Sequence, residues 1–270
     1  MAAASPAPSA SPPPTPAPTV SPPPAAHPRL GELHDSGIVR KESVDADRWV
    51  ATGLVKVTGD VHVGEGRFDG TISLGGQLSA TAVRYRGTLD VGGALNASGS
   101  LVGAGSLRAG STVHAASADL KGTARVTGAL SVDRDLRVRG HLSAPSLTVG
   151  TLDLEGEARL EGDLVGLSVR AHLTDNSAFG TVRAKSVVLR GKVPNLVEKV
   201  LGRRVTVTVE RVECDEAVFE GVDVDFVRAA RITLGRYAHV TEYVGTIVER
   251  HPTSRVGFES KSPPPYGLRR

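Results

Sequence analysis

The sequence contains few of the residues that staple small secreted proteins or build aromatic binding surfaces. Of its 270 residues, one is cysteine, one is tryptophan, and aromatic residues make up 4%. The single Cys214 excludes an internal disulfide framework, and we expect it to be a small buried residue rather than a nucleophile. No apolar run is long enough for a signal peptide or a membrane span, which predicts a cytoplasmic protein.

Charge is close to balanced, with a net value of +3. Nucleic-acid binding would need a basic stripe with interleaved aromatic residues, and the sequence has no such stripe, so we expect no nucleic-acid partner. Proline, by contrast, is concentrated at the ends, because residues 1–28 hold 11 of the 17 prolines. We predict a disordered proline-rich arm over residues 1–30, available to recruit partners, and a proline-containing basic tail over residues 251–270.

Between these ends the sequence repeats a glycine, one spacer and an aliphatic residue, as in "GDVHV" at 59–63 and "GQLSA" at 76–80. Successive aliphatic residues are 17, 17, 18, 17, 17 and 17 positions apart, which indicates a repeat architecture. The aliphatic residues, which we expect in the core, are Val61, Leu78, Leu95, Val113, Leu130, Leu147 and Leu164. The glycines, which we expect at corners where φ can be positive, are Gly59, Gly76, Gly93, Gly110, Gly128 and Gly162.

Within one period the aliphatic residues fall into three short alternating groups. In one coil these are Leu130 and Val132, then Leu136 and Val138, then Leu142, and alternation with a period of two is typical of a strand with one buried face. We therefore predict an all-β parallel β-helix, or solenoid, with three short strands in each coil of about 17 residues. A β-sandwich is the alternative, but it has no reason to keep this interval through seven periods.

The regular interval weakens after about residue 190. Residues 191–204 predict one short helix, because Pro194 suits its first turn and Gly202 suits its end. Strand-like sequence resumes afterwards. We therefore divide the β-helix over residues 31–250 into regular coils (31–190), a helical insertion (191–204) and C-terminal coils (205–250).

The coils "VKVTGDVHVGEG" and "LEGEARLEGDLVG" and the stretch "VECDEAVFEGVDVDFVRAARITLGRYAHVTEYVGTIVERHPTSRVG" resemble those of the bactofilins, the polymer-forming cytoskeletal proteins of bacteria and related archaeal proteins. The resemblance covers roughly residues 36–250 and is closest in kind to the longer, archaeal-type members. It implies a right-handed β-helix whose copies stack into nucleotide-independent, non-polar filaments, a scaffold at or near the inner face of the membrane. The arm lacks the hydrophobic targeting segment of many bacterial members, which leaves membrane attachment open.

The residues lead separately to self-association, because a stack of coils has two ends with unpaired strand edges and a cut core. Joining ends would continue the core into the next subunit and generate a homopolymer. The candidate polymerisation surfaces are Val44, Trp49, Val50 and Leu54 in the first coils, and Phe226, Tyr237, Tyr243 and Val244 in the last. The alternative is that these residues cap a monomeric solenoid.

Patterns that support catalysis are weak, and we expect neither an enzyme nor a bound metal or cofactor. The eight histidines have no HxH or HxxxH spacing. Two carboxylate pairs, at positions 133 and 135 and at 223 and 225, could serve acid–base chemistry in a monomeric β-helix that binds or cleaves a polysaccharide. An outward polar ladder is the simpler interpretation. We also expect Arg137 and Arg139 to stand beside Glu155 and Glu157 on the next coil.

Overall fold

The computed structural model describes residues 30–174, 176–192 and 207–260. They form an all-β parallel solenoid, in which each turn of chain pairs in parallel with the turn before it and the turn after it. The strands are β1 (Leu30–Lys41), β2 (Val44–Val57), β3 (Val61–Leu74), β4 (Leu78–Val91), β5 (Leu95–Ala109), β6 (Val113–Val126), β7 (Leu130–Ala144), β8 (Leu147–Leu173), β9 (Ala178–Arg183), β10 (Ser186–Gly191), β11 (Thr208–Glu220), β12 (Asp223–Leu234), β13 (His239–Arg250) and β14 (Arg255–Glu259).

The strands stack in chain order, and only β9 leaves this path, where it pairs with β8 and β11. Long-range parallel pairing follows from the alternating sequence, because only a stack of turns buries every inward aliphatic residue at once. The seven predicted core residues are all buried, between 0 and 2% exposed. Those from Val61 to Leu147 pair directly with one another from turn to turn.

The prediction of three separate strands in each coil is not confirmed. From β2 to β7 each turn is one continuous strand of 14 or 15 residues. The inward residues nevertheless occur in three pairs per turn, which in β2 are 44 and 46, 49 and 51, and 55 and 57. We refer to these as the first, second and third inward pairs, and they define columns that run along the solenoid.

Two other boundaries differ from the sequence-based division. The helix predicted over residues 191–204 lies outside the described residues from position 193 onward, and no helix occurs within the described ranges. Stacking also continues past residue 250, because β14, in the stretch expected to be tail, pairs with β13. Of the arm predicted over residues 1–30, residues 1–29 lie outside the described part of the chain, as do the last ten residues, and Leu30 begins β1.

Glycines with positive φ occupy a column that the sequence interpretation missed. Eight of the ten positive-φ glycines among the described residues form this column and pair with one another on successive turns: Gly37, Gly53, Gly70, Gly87, Gly105, Gly122, Gly140 and Gly156. None of the six predicted corner glycines has a positive φ. Five of those six lie between consecutive strands, and Gly162 lies inside β8.

The predicted corner glycines are required for a different reason, which is close approach between turns. A Cβ at Gly59 would stand 2.7 Å from the carbonyl oxygen of Glu42, and one at Gly162 would stand 2.7 Å from that of Pro145. The longer step in the repeat also has a local cause. The register between β4 and β5 shifts by one residue after Ala97, and the extra residue is absorbed there as an irregularity in the ladder.

Candidate functional site: the two ends of the solenoid

The residues predicted as the first polymerisation surface lie one turn inside the solenoid. Strand β1 covers three of them, since Leu33 pairs with Trp49, His34 with Val50 and Ile38 with Leu54. Val44 and Trp49 are buried, and the Trp49 ring meets Phe68 edge to face with ring centroids 5.2 Å apart. Val50 and Leu54 point outward on the side of the stack and are partly and half exposed, respectively. The outermost turn is therefore β1.

Strand β1 places two charged residues in inward columns. Asp35 pairs with Ala51 and Lys41 pairs with Val57, and both partners are fully buried core residues. The Lys41 ammonium lies 3.1 Å from Asp35 Oδ2, and the Trp49 indole N–H donates to the same oxygen at 2.8 Å. Only 11% of the Asp35 side chain is exposed. The end of the core thus finishes in an ion pair that is hydrogen-bonded to the layer below.

This ion pair distinguishes the outermost turn from a layer of bare aliphatic side chains. An end layer of bare aliphatic side chains would accept any hydrophobic edge, whereas inward-pointing charges are a known protection of exposed strands against indiscriminate pairing. Leu33 and Val39 remain beside the pair as partly buried apolar residues that pack on the core. The end is therefore mixed in character. In the second and third inward pairs of β1, the first residue is apolar and the second is charged.

The residues predicted for the second surface are also displaced from the end. Phe226 is 4% exposed and lies in β12, beneath β13, with the Arg211 guanidinium 4.6 Å from its ring centroid. Tyr237 has a positive φ of 56° between β12 and β13, and its backbone N–H donates to Thr253 Oγ1 at 3.2 Å. Tyr243 and Val244 lie in β13 and are partly buried. Of the predicted set, these two are nearest the end.

The C-terminal end is formed by β13 and β14. Tyr243, Ile247 and Val256 are partly buried and pack against the core. Arg250 pairs with the buried Leu234, and its Nη2 donates to the carbonyl oxygen of Ser254 at 3.4 Å. Outside these, Val248 and Phe258 are among the exposed large hydrophobic residues. This end is more apolar than the other, but it also carries one charge in an inward column.

The two ends correspond position by position along the second inward pair. Strand pairing, with one 17-residue step inside β8, connects Leu33 to Ile247 in one column and Asp35 to Arg250 in the neighbouring column. One end therefore offers an aliphatic residue and a carboxylate, and the other offers an aliphatic residue and a guanidinium, in the same order. Neither strand edge has a second neighbour within the described residues, because β1 pairs only with β2 and β14 only with β13.

The other sequence-based candidates lie on the outside of the stack. Asp133 Oδ1 is 3.1 Å from His114 Nε2, and Asp223 Oδ1 is 3.9 Å from His239 Nδ1. Each carboxylate pair thus has one member beside a histidine rather than both aimed at a common point. Across the described ranges no cluster of three or more potential metal ligands occurs, and no helix has the length and hydrophobicity of a membrane span.

The expected cross-turn charge ladder is present in shifted form. Arg139 pairs with Glu155, with Nε and Oε2 4.0 Å apart, whereas Arg137 pairs with Asp153. Glu157 instead lies 3.3 Å from His141 and 3.1 Å from Arg159. Such exposed pairs contribute at most about 1 kcal/mol each, so they favour the register without fixing it.

No family model, curated protein or solved structure matches the chain. The resemblance to the bactofilins therefore rests on the sequence stretches quoted above, and the solenoid fold by itself does not distinguish that family.

Proposed function

We propose that this protein is a structural scaffold that self-associates end to end without nucleotide and forms filaments of stacked solenoids in the cytoplasm, or at the inner face of the membrane. The observation that carries the proposal is the pair of open strand edges, β1 and β14, each with partly buried aliphatic residues beside it. Continuing the ladder across subunits would satisfy the backbone groups of both edges and remove those residues from water. The proline-rich arms would then extend from the filament and recruit partners.

The matched columns favour a head-to-tail joint. Stacked in register, Ile247 would meet Leu33 and Arg250 would approach the Asp35–Lys41 pair of the next subunit. A joint between two N-terminal ends would run β1 antiparallel to its copy, and self-pairing along the second inward pair would set Leu33 against Asp35. Leu33 would remove the remaining solvent exposure of the Asp35 carboxylate without adding a donor to those supplied by Lys41 and Trp49, whereas Arg250 would add one. We therefore propose a polar filament, in contrast to the non-polar one that the family resemblance implies.

Two end-blocking variants test both the assembly and its polarity. Leu33→Lys places a charge at one end, and Ile247→Lys places one at the other. In a head-to-tail filament each variant alone is monomeric, and an equimolar mixture gives dimers, because one intact end of each kind remains. In a non-polar filament each variant alone gives dimers through its intact end. Sedimentation velocity separates these outcomes, and negative-stain imaging of the wild type shows whether filaments form.

A charge reversal at the joint and its matched control complete this experiment. Arg250→Glu should shorten or abolish filaments by reversing the charge that faces Asp35, whereas Arg228→Glu makes the same change on the exposed side of β12 and should leave assembly intact. Far-ultraviolet circular dichroism must show equal strand content in all variants. A wild type that stays monomeric at high concentration without nucleotide refutes the scaffold proposal. Dimers formed by each blocked variant alone refute only the head-to-tail arrangement.

A further inference from the structure

A groove of about 570 Å³ lies on the outer surface beside the second inward pair, along β3 to β6. Its shape follows from side-chain length. The turn in the middle, β5, contributes only Ser100, Val102 and Ala104 to the groove surface, together with the backbone of Gly103. The turns on either side carry long side chains, Arg84 and Arg86 on β4, and Asp119 and Lys121 on β6. Short residues form the floor and charged residues form the walls.

An aromatic residue lies beneath the floor of the groove. Tyr85 points inward in β4, and its ring occupies the space that a side chain at position 103 would take, because a Cβ on Gly103 would overlap the ring. Glycine at this inward position therefore accommodates a buried tyrosine under β5. The apolar base on which the carbon face of a ring could rest is Val102, which is exposed, whereas Tyr85 is 4% exposed.

Three cations on the walls form no ion pair within the described residues, namely Arg84 and Arg86 on β4 and Lys121 on β6. Arg86 nevertheless pairs in the ladder with Asp69. By contrast, Arg67 is 3.4 Å from Asp69 and Arg48 is 3.1 Å from Glu32. Arg84 also pairs in the ladder directly with Arg67. Like charges in facing positions of adjacent strands are destabilising, and neighbouring strands are only about 4.8 Å apart. Asp69 faces Arg86 and offsets part of this repulsion, so the unfavourable arrangement at the groove is the facing of Arg84 and Arg67.

The opposite wall carries an unsatisfied acceptor. Oδ1 of Asp119 is buried and has no hydrogen-bond donor among the described residues. Leaving a charged acceptor without a donor costs stability, and the Asp119 side chain lines the groove, where a ligand could supply that donor. The two walls therefore need different groups: an oxyanion beside Arg84 and Arg86, and a hydroxyl or amide donor beside Asp119. They stand two strand spacings, roughly 10 Å, apart at the backbone.

We propose that this groove binds an acidic saccharide. Arg84 and Arg86 would hold its carboxylate or phosphate, and one of its hydroxyl groups would donate a hydrogen bond to Asp119. A planar guanidinium binds either oxyanion through two parallel hydrogen bonds. A bare inorganic anion would satisfy the arginines but not Asp119, and a neutral sugar would satisfy Asp119 but not the arginines. A saccharide that carries both groups matches the groove, and the same sites serve whether its acid is a uronate or a sugar phosphate.

Binding can be measured by calorimetry on the full chain. A uronic-acid oligosaccharide, a sugar phosphate, a neutral oligosaccharide and inorganic phosphate serve as probes. We expect the acidic saccharides to bind and the neutral one to bind at least about tenfold more weakly, since a charge-assisted hydrogen bond is stronger than a neutral one. Which acidic probe binds more tightly separates a uronate from a phosphate source. The Ile247→Lys variant repeats the titration without assembly, so the result is independent of filament formation.

Two groove variants and one control connect binding to the groove. Arg84→Gln together with Arg86→Gln should lower the affinity for acidic saccharides by at least about tenfold. Because the change removes the like charges of Arg84 and Arg67, the melting temperature should stay equal or rise. Asp119→Ala should lower the affinity for the saccharides, because it removes the acceptor of their hydroxyl group. It should leave the affinity for inorganic phosphate unchanged or higher, because it removes a negative charge. Arg170→Gln, an exposed arginine on β8, is the matched control and should change neither.

Several outcomes would overturn this assignment. They are the absence of binding at millimolar acidic saccharide, equal affinity for the neutral oligosaccharide, binding of inorganic phosphate alone, and affinity that survives loss of both arginines.

Discussion

Replacing single glycines by alanine can separate two requirements that the solenoid imposes on this residue. At Gly105 both apply: φ is +125°, and a Cβ would overlap the carbonyl oxygen of Gly87 on the previous turn. The strained backbone alone costs about 1–3 kcal/mol. Displacing the strand to relieve the overlap would weaken at least two hydrogen bonds between turns, at about 1 kcal/mol each. We expect Gly105→Ala to lower the free energy of unfolding by about 3–5 kcal/mol.

Three other glycines provide matched comparisons. Gly37→Ala tests the backbone alone, because φ is +82° and nothing lies within 4 Å of the added Cβ. Gly162→Ala tests close approach alone, since its φ is not positive but the Cβ would stand 2.7 Å from the Pro145 carbonyl oxygen. For these we expect about 1–3 kcal/mol each. Gly31→Ala imposes neither condition and should stay within about 0.5 kcal/mol of the wild type.

Urea unfolding followed by circular dichroism gives the stabilities, and hydrogen exchange gives the local effect. Both are needed because solenoids lose two-state cooperativity when one region is weakened. We expect amide protection to fall most in the turns on either side of the substituted glycine. If Gly105→Ala cost no more than Gly162→Ala, the positive φ in the glycine column would not matter energetically, and the reasoning would be refuted.

Three further perturbations test other parts of the structure. Trp49→Phe removes the indole donor of Asp35 and should cost about 1–3 kcal/mol by urea unfolding, and an unchanged stability would mean that the Lys41 contact suffices. Leu130→Ala creates a cavity at a residue only 2% exposed and should cost about 2–5 kcal/mol, and a loss below 1 kcal/mol would contradict its core position. Burial, with Asp215 adding to it, raises the pKa of Cys214 to about 12 from its ordinary value of 9. The neutral thiol is thus favoured in the folded state, so the stability it contributes is present below pH 9 and is lost as the pH rises toward 12. Cys214 should react slowly with thiol reagents at pH 8 until the protein unfolds, and Cys214→Ser should flatten the alkaline fall in stability. Rapid labelling of the folded protein would contradict this environment.

The sequence predicted the inside of the solenoid well because burial enforces a simple pattern there. An inward column accepts only residues that fit between the turns above and below, so aliphatic residues recur at the same step, as from Leu78 to Leu95. The parallel stack and its core columns follow directly from that recurrence. The number of separate strands per coil did not follow, because backbone pairing continues through the bends and side-chain alternation does not reveal this.

The ends of the solenoid could not be located in the same way. The inward positions of β1 carry Asp35 and Lys41, so the alternating pattern fails in the outermost turn even though the backbone still pairs there. The sequence pattern therefore places Trp49 at the end of the solenoid, one turn too early. The signal that could have revealed β1 is Gly37, which stands in step with Gly53 and Gly70. A column defined by backbone conformation persists where the hydrophobic pattern stops.

The groove was missed for a related reason. Outward residues are free of the packing constraint, and their meaning depends on which residues of separate turns become neighbours. Arg84 and Asp119 are 35 positions apart in the chain, yet they stand on either side of Val102 because each is paired in register with it. Charge counts along the chain do not show that Arg84 faces Arg67, or that Arg86 faces Asp69 without forming an ion pair within the described residues.

The positions of Lys192 and Val207, on either side of residues 193–206 between β10 and β11, have a practical consequence. Ladder hydrogen bonds stand on both sides of this segment, from the Lys192 N–H to the Leu173 carbonyl and from the Thr208 N–H to the Ser177 carbonyl, each 3.0 Å long. Val207 returns close to Gly191, with its Cγ2 3.4 Å from where a Cβ on that glycine would stand. The turns on either side do not fix how many residues connect these points. A foreign epitope or small enzyme grafted here would be carried once per solenoid, and an assembled array would display it at regular spacing.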